Sequence, residues 1–102
     1  MLSDCYIEIY LQSFYDDLDS LMSHITYKLK NPEAAYKLYK DIFDATKKRT
    51  ECPTSFETVK IKNRRYPYYR IYVGNFIVYY VVIDRQVEYR RVLYKRMRIR
   101  EL

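Results

Sequence analysis

Glycine is nearly missing from this chain, with one in 102 residues. A phosphate-cradling loop or dinucleotide fingerprint needs several glycines at fixed spacing, so nucleotide-hydrolysing classes are excluded. Cysteine is scarce too. Cys5 and Cys52 lack the Cys-x-x-Cys spacing of a metal or redox centre, and one possible bridge is no disulfide framework. Reduced thiols without chemistry are expected. The single histidine, His24, has no serine, cysteine or aspartate spaced to form a recognisable catalytic pair, and is read as a helix-surface residue. Tryptophan is absent, and the longest uncharged run, Ile71 to Ile83, is thirteen residues, short of the roughly 20 that cross a bilayer. No membrane span is expected. Near its start the chain carries Asp4 and Glu8 instead of a basic segment and an apolar block, so no secretory signal is read and a cytoplasmic protein is expected.

What is present is tyrosine and positive charge. Fourteen of the residues are Tyr, 49% are apolar and the net charge is +6, which excludes disordered and low-complexity classes and suits one domain with one core over 1–102. The charge is unevenly spread. Residues 1–57 hold seven Lys/Arg against ten Asp/Glu, whereas residues 58–102 hold twelve against three. A localised cationic excess predicts an anionic partner, either nucleic acid or an acidic protein segment.

Periodicity divides the chain into helices and strands. Tyr6 to Leu11 alternates as a strand, with Ile7, Ile9 and Leu11 on one side and Tyr6, Glu8 and Tyr10 on the other. Ser13, followed by Asp16 and Asp17, reads as a helix N-cap with acids in the first turn, and Phe14, Leu18, Leu21, Met22, Ile25 and Leu29 form one apolar stripe. These acids, with Asp19, read as helix-start charges and not as metal ligands; no metal and no cofactor are expected. Asn31-Pro32-Glu33 restarts the chain as a second, antiparallel helix, with Ala35, Leu38, Ile42 and Ala45 inward, Tyr36, Tyr39 and Phe43 beside them, and Lys47, Lys48 and Arg49 closing it.

From Phe56 the period becomes two. Strands are predicted over 56–61, 68–73, 76–83 and 87–93, with a basic turn at Lys62 to Arg65, a hairpin at Gly74-Asn75 and a basic tail over 94–102. Phe76 to Ile83 is apolar on both sides, as in a central strand covered on both faces. The order β-α-α-β-β-β-β predicts an α+β fold, a two-helix antiparallel hairpin packed on one face of a twisted, mainly antiparallel sheet. Alternation projects Tyr68, Arg70 and Tyr72 together, with Lys60 and Lys62 likewise on the strand before. An aromatic and cationic face left uncovered by the helices would suit base stacking and phosphate contact.

The helix start Asn31-Pro32-Glu33-Ala34-Ala35, the stretch Tyr69-Arg70-Ile71-Tyr72-Val73-Gly74-Asn75-Phe76-Ile77-Val78-Tyr79-Tyr80 and the ending Arg91-Val92-Leu93-Tyr94-Lys95-Arg96 resemble the RelE/ParE superfamily of bacterial type II toxins over nearly the whole chain. The resemblance implies a RelE/ParE-like fold and a growth-inhibiting cytoplasmic toxin neutralised by an acidic antitoxin encoded beside it, on a plasmid or a chromosome. One branch of the superfamily cleaves mRNA on the ribosome without a metal; the other, ParE-like, inhibits DNA gyrase. In the nuclease branch an Arg commonly follows the aromatic that opens the fourth strand, whereas here Phe76 is followed by Ile77. The Arg70-to-Tyr80 stretch and Arg91-Val92-Leu93 look closer to the ParE-like pattern, so gyrase inhibition is the favoured expectation. An mRNA interferase is the first alternative, and a non-catalytic nucleic-acid-binding module the second.

Site residues follow from both readings. Lys60, Lys62, Arg64, Arg65, Tyr68, Arg70, Tyr72, Arg96 and Arg98 are the candidates for target or anion binding. If the chain is RelE-like, Arg70, Tyr94 and Arg96 are the catalytic candidates, with Arg96 falling where that branch has a C-terminal catalytic Arg. Arg70 either grips an anion or forms a structural pair with Glu8 or another acid. A tail that stays extended would align Tyr94, Arg96, Arg98 and Arg100 as a comb. Tyr36, Tyr39 and Phe43 are the antitoxin-binding candidates.

Overall fold

In the computed structural model, which describes residues 5–97, the elements run β1 (Ile7–Tyr10), α1 (Gln12–Ser23), a π-helical turn (His24–Lys28), α2 (Pro32–Thr50), β2 (Thr58–Val59), β3 (Tyr68–Val73), β4 (Phe76–Ile83) and β5 (Gln86–Tyr94). The five strands form one sheet in the order β1-β5-β4-β3-β2. Only β1 with β5 is parallel; the other three pairs are antiparallel. The helix pair lies on one face, as expected. Among the described residues no helix is long and apolar enough to cross a membrane.

Local chemistry explains most boundaries. Asn31 caps α2 by accepting the Ala34 N–H at 3.1 Å, Pro32 takes the first helical position, and Lys47, Lys48 and Arg49 close the last turn. Gly74 adopts a φ of +57° in a two-residue hairpin that pairs Val73 with Phe76. The β4–β5 hairpin turns at Asp84, whose φ is +55°.

The start of α1 departs from its predicted cap. The helix begins at Gln12, Leu11 occupies the cap position without a side-chain bond, and no acid lies in the first turn. Ser13 Oγ instead donates to the Arg90 carbonyl at 2.6 Å, and Asp17 accepts from Arg91 at 2.7 and 3.0 Å and from the Val92 N–H at 2.9 Å. The reason lies in the sheet. Strand β1 reaches along β5 only to Tyr89, so the rest of that edge needs partners, and α1 supplies them.

The predicted first helix keeps nearly its expected length but changes type after Ser23. The π-helical turn follows Ser23, and Leu29, assigned to the apolar stripe, is 60% exposed. In β1 the tyrosine side faces the core, since Tyr6 and Tyr10 pack there while Ile7 is 59% exposed.

Tyr69, Tyr80, Tyr89 and Tyr10 are direct cross-strand partners, one row spanning β3, β4, β5 and β1. Their ring centres are 4.9, 5.3 and 5.1 Å apart in that order, stacked in the first and last pairs and tilted by 50° between Tyr80 and Tyr89. Three hydroxyls meet the end of α2. Tyr10 shares a 2.6 Å bond with Thr46, Tyr89 bonds Thr50 and the Thr46 carbonyl, and Tyr80 donates to the Pro53 carbonyl at 2.8 Å while accepting from Arg49 at 3.0 Å. Burial pushes the Tyr10 hydroxyl up to about 12, and those of Tyr80 and Tyr89 up as well.

Candidate functional site

Alternation along β3 puts Ile71 and Val73 under the helices and Tyr68, Arg70 and Tyr72 on the opposite face. That face is not an open stacking platform. Ile61, Tyr68, Ile77, Tyr79, Val81 and Leu93 form a second small core there, with Val59, Tyr66 and Ile83 packed against it. Tyr68 is 3% exposed, whereas Tyr72 is 62% exposed. The expectation of an aromatic and cationic surface is therefore corrected at Tyr68, whose ring is inside. Strand β4 is apolar on both sides, so this face needed its own cover, and residues 59–66 provide it.

The structure also revises the placement of Lys60 and Lys62. Strand β2 stops at Val59, so the strand predicted over 56–61 shrinks to two residues. Lys60, Lys62, Arg64 and Arg65 all lie in the exposed loop between β2 and β3, with the Arg65 guanidinium 5.5 Å from the Tyr66 ring centre. Arg64 N–H bonds the Ile61 carbonyl, and Asn63 takes a φ of +66°. A tight turn over the second core thus carries the basic cluster as a loop.

Arginines on the sheet divide into satisfied and unsatisfied ones. Arg91 is engaged by Asp17. Arg90 bonds Glu88 at 3.0 Å and the Tyr68 hydroxyl at 3.1 Å. Burial works against the Arg90 charge, but Tyr68 and Glu88 outweigh it and hold the pKa above its ordinary value. Arg49 bonds Tyr80 and the Arg70 carbonyl, with its guanidinium 3.5 Å from the centre of the Phe56 ring. Arg70 differs. Its half-buried side chain has no hydrogen bond or ion pair among the described residues, and Glu8 lies three strands away on β1, beyond β4 and β5. The structural pair with Glu8 is therefore not made.

Tyr79 sits directly across from Arg70 on β4. Burial pushes its hydroxyl pKa up, and Arg70 pulls in the other direction without cancelling that rise. The phenol stays protonated and can donate. An unpaired guanidinium beside a protonated phenol, with exposed Tyr72 next along the strand, is equipped to hold an oxyanion. Tyr79 escaped the sequence reading although the signal was available: counting back from the Gly74-Asn75 turn pairs 70 with 79.

Tyr94 and Arg96 are not part of that arrangement. Tyr94 is 40% exposed on the helix side, its ring 5.7 Å from Phe76, where both line a cavity of about 650 Å³ with Leu21, His24, Ile25 and Leu29. After it the chain turns. Lys95 N–H bonds the Asn75 carbonyl and Met97 N–H bonds the Tyr94 carbonyl, so Tyr94 and Arg96 do not form an extended comb. Arg98 and Arg100 lie outside the described residues. The hairpin turn takes up the Lys95 amide and starts this bend.

On the outer helix surface, Tyr36 is 69% and Tyr39 46% exposed, beside a shallow depression that also involves Met22, Thr26, Pro32 and Ala35. Phe43 is half-buried, 5.0 Å from Tyr39, 5.4 Å from Tyr10 and 5.9 Å from Phe14. It ties that surface to the core. Among the described residues no three His, Cys, Asp or Glu side chains cluster as metal ligands, and Cys5 and Cys52 are unpaired and exposed.

No protein-family model matches the sequence, and a search of curated proteins finds no significant match. Solved structures do match. The fold is similar to that of a chain of the chromosomal ParDE TA system from P. aeruginosa, with a TM-score of 0.74 and 17% identity over 90% of this chain and 98% of that one. A chain of the RelB-RelE antitoxin-toxin complex from Methanococcus jannaschii matches with a TM-score of 0.47 and 25% identity over 85% and 89% of the two chains. The first likeness establishes the shared architecture of two helices on a mixed five-stranded sheet.

Proposed function

We propose that this chain is the toxin of a type II toxin-antitoxin pair, acting in the ParE manner on DNA gyrase and neutralised by an acidic antitoxin. The observation that carries the reading is the fold it shares, over nearly all of both chains, with a chain of the ParDE system. The site supports it chemically. Arg70 is a half-buried cation without a hydrogen bond or ion pair among the described residues, and the basic loop of Lys60, Lys62, Arg64 and Arg65 leads into the strand that carries it. Together they offer an anionic partner a strand-borne guanidinium and an exposed cluster of charge.

Binding fits this geometry better than RNA cleavage. Arg70 and Tyr94, two of the three residues a nuclease would use, project from opposite faces of the sheet. Burial raises the pKa of the phenol across from Arg70 on β4 and keeps it protonated, which suits a donor and not a base. Tyr36 and Tyr39 form the surface assigned to the antitoxin, with Phe43 as its floor.

The test is induction of the chain alone in a bacterial host, scoring growth, chromosomal breaks and cut transcripts. Growth arrest with breaks and intact transcripts is expected. Arg70→Ala should abolish the arrest while leaving the thermal midpoint within a few degrees, because the side chain has no internal partner to lose. Cut transcripts would replace the gyrase reading with the interferase reading, and undisturbed growth with soluble, folded protein would overturn the toxin assignment.

A further inference from the structure

The helical segment that begins as α1 changes pitch at its end. Leu29 N–H bonds the His24 carbonyl at 3.1 Å, five residues back, where an α-helix would bond Ile25, and the Ile25 carbonyl takes the Asn31 N–H instead. The wider turn breaks the apolar stripe. Ile25 stays buried at 9% exposure, while Leu29, four residues on, is 60% exposed. Turns of this type are rare in helices and recur at functional sites.

The displaced Leu29 makes one wall of the cavity of about 650 Å³ at this end of the molecule. The other wall is the margin of the sheet, where the Phe76 and Tyr94 rings lie 5.7 Å apart and tilted by 58°. Leu21, Ile25 and Ala34 complete the apolar lining, and Ser20, His24, Asn31 and Asn75 supply its polar groups. None of the described lining residues is Asp, Glu, Lys or Arg, although 31% of the chain is charged. Lys28 and Lys30 flank Leu29 in sequence and still stay out of the lining. A charged group placed inside would lose hydration without meeting an opposite charge. Asn31 Oδ1 is taken by the Ala34 N–H, whereas the Ser20, His24 and Asn75 side chains make no hydrogen bond among the described residues.

We propose that this cavity binds a small uncharged aromatic molecule that carries one hydrogen-bonding N–H or O–H. The ring system packs against Phe76 and Tyr94 and covers Leu29, while its donor meets Ser20, His24 or Asn75. The volume of about 650 Å³ falls within the roughly 300–1,000 Å³ of small-molecule sites, which pair a mainly apolar lining with a few polar groups. Charge separates this site from the one on the opposite face of the sheet. Arg70 and the basic loop answer to an anion, whereas a lining without Lys or Arg gives an anion nothing to meet. The proposal stands apart from the toxin reading, because it rests on the cavity alone.

Magnetic-resonance titrations of the full, isotope-labelled chain with indole, N-methylindole and indoleacetate test it, the amide shifts locating the ligand. Indole should shift the amides of His24, Ile25, Leu29, Phe76 and Tyr94 saturably, with a dissociation constant of about 1 mM or tighter. Indoleacetate should bind there about tenfold more weakly because of its carboxylate, and N-methylindole about threefold more weakly because it lacks the N–H. Leu29→Glu puts a charge on the wall and should weaken indole by about tenfold. Leu29 is 60% exposed, so that variant should keep the parent's circular dichroism and melting temperature. Ser20→Phe, at an exposed position of α1, fills the cavity from a second side and should also exclude indole. No saturable shift with millimolar indole, shifts confined to other residues, equal binding of either analogue, or undiminished binding to both variants would overturn the proposal. Shifts of the same amides that grow with protein concentration alone would give the cavity to a second copy and overturn the small-molecule occupant.

Discussion

Asp17 gives the sharpest test of how this sheet is held. Its carboxylate takes two N–H bonds from Arg91 and one from the Val92 backbone, and the two side chains are 15% and 26% exposed. Asp17→Ala removes a bidentate charge-assisted pair, worth roughly 1.5–3 kcal/mol net, and leaves the Val92 amide without its acceptor, about 1–3 kcal/mol more. Neither side chain is fully sealed, so about 3 kcal/mol is expected, at the low end for breaking a buried pair. For a domain of this size that lowers the melting temperature by roughly 12 °C or more. Asp17→Asn keeps an acceptor for Val92 and should cost about half as much. Urea unfolding of Asp17→Ala, Arg91→Ala and the double variant closes the cycle, with an expected coupling of at least about 1.5 kcal/mol. A loss below about 1 kcal/mol for Asp17→Ala, or a coupling under roughly 0.5 kcal/mol, would show that α1 does not seal the β5 edge through this carboxylate.

The buried hydroxyls make stability fall in alkali. Tyr10, pushed up to about 12, and Tyr80 and Tyr89, also raised, stay protonated in the folded chain above pH 10, where the unfolded chain loses those protons. Their contribution is whole below about pH 10, the ordinary tyrosine value, and is lost as pH rises toward 12. Urea midpoints at pH 9, 10.5 and 11.5 should therefore decline, and a flat series would contradict the burial of the row. Tyr80→Phe deletes the bonds to Pro53 and Arg49 and should cost about 1–3 kcal/mol, whereas Tyr72→Phe, on an exposed ring, should change stability by less than about 0.5 kcal/mol. Equal effects of the two substitutions in thermal melts would argue against the hydroxyl network at the end of α2.

Local chemistry that needs no distant partner was readable from the chain. Asn31 and Pro32 start a helix anywhere, Gly74 takes positive φ at little cost, and the apolar run of β4 can only be a strand covered on both sides. Those three marks, with the alternating strands, carried the α+β architecture and the register that sets Arg70 opposite Tyr79.

Tertiary structure decided which polar groups are free. Ser13 has the chemistry of a cap and Asp17 that of a helix-start charge, yet the open edge of β5 claims both, because unpaired backbone amides and carbonyls there need partners more than a solvated helix end does. Tyr68 and Tyr72 have the same parity and look alike in sequence. The loop folding over one ring and not the other separates a core residue from an exposed one. Arg49, Arg90 and Arg91 likewise resemble Arg70 in composition, and only the positions of Tyr80, Glu88 and Asp17 leave Arg70 as the one of these four without a hydrogen bond or ion pair among the described residues. Alternation assigns a side chain to a face; what covers that face depends on residues far away in the chain.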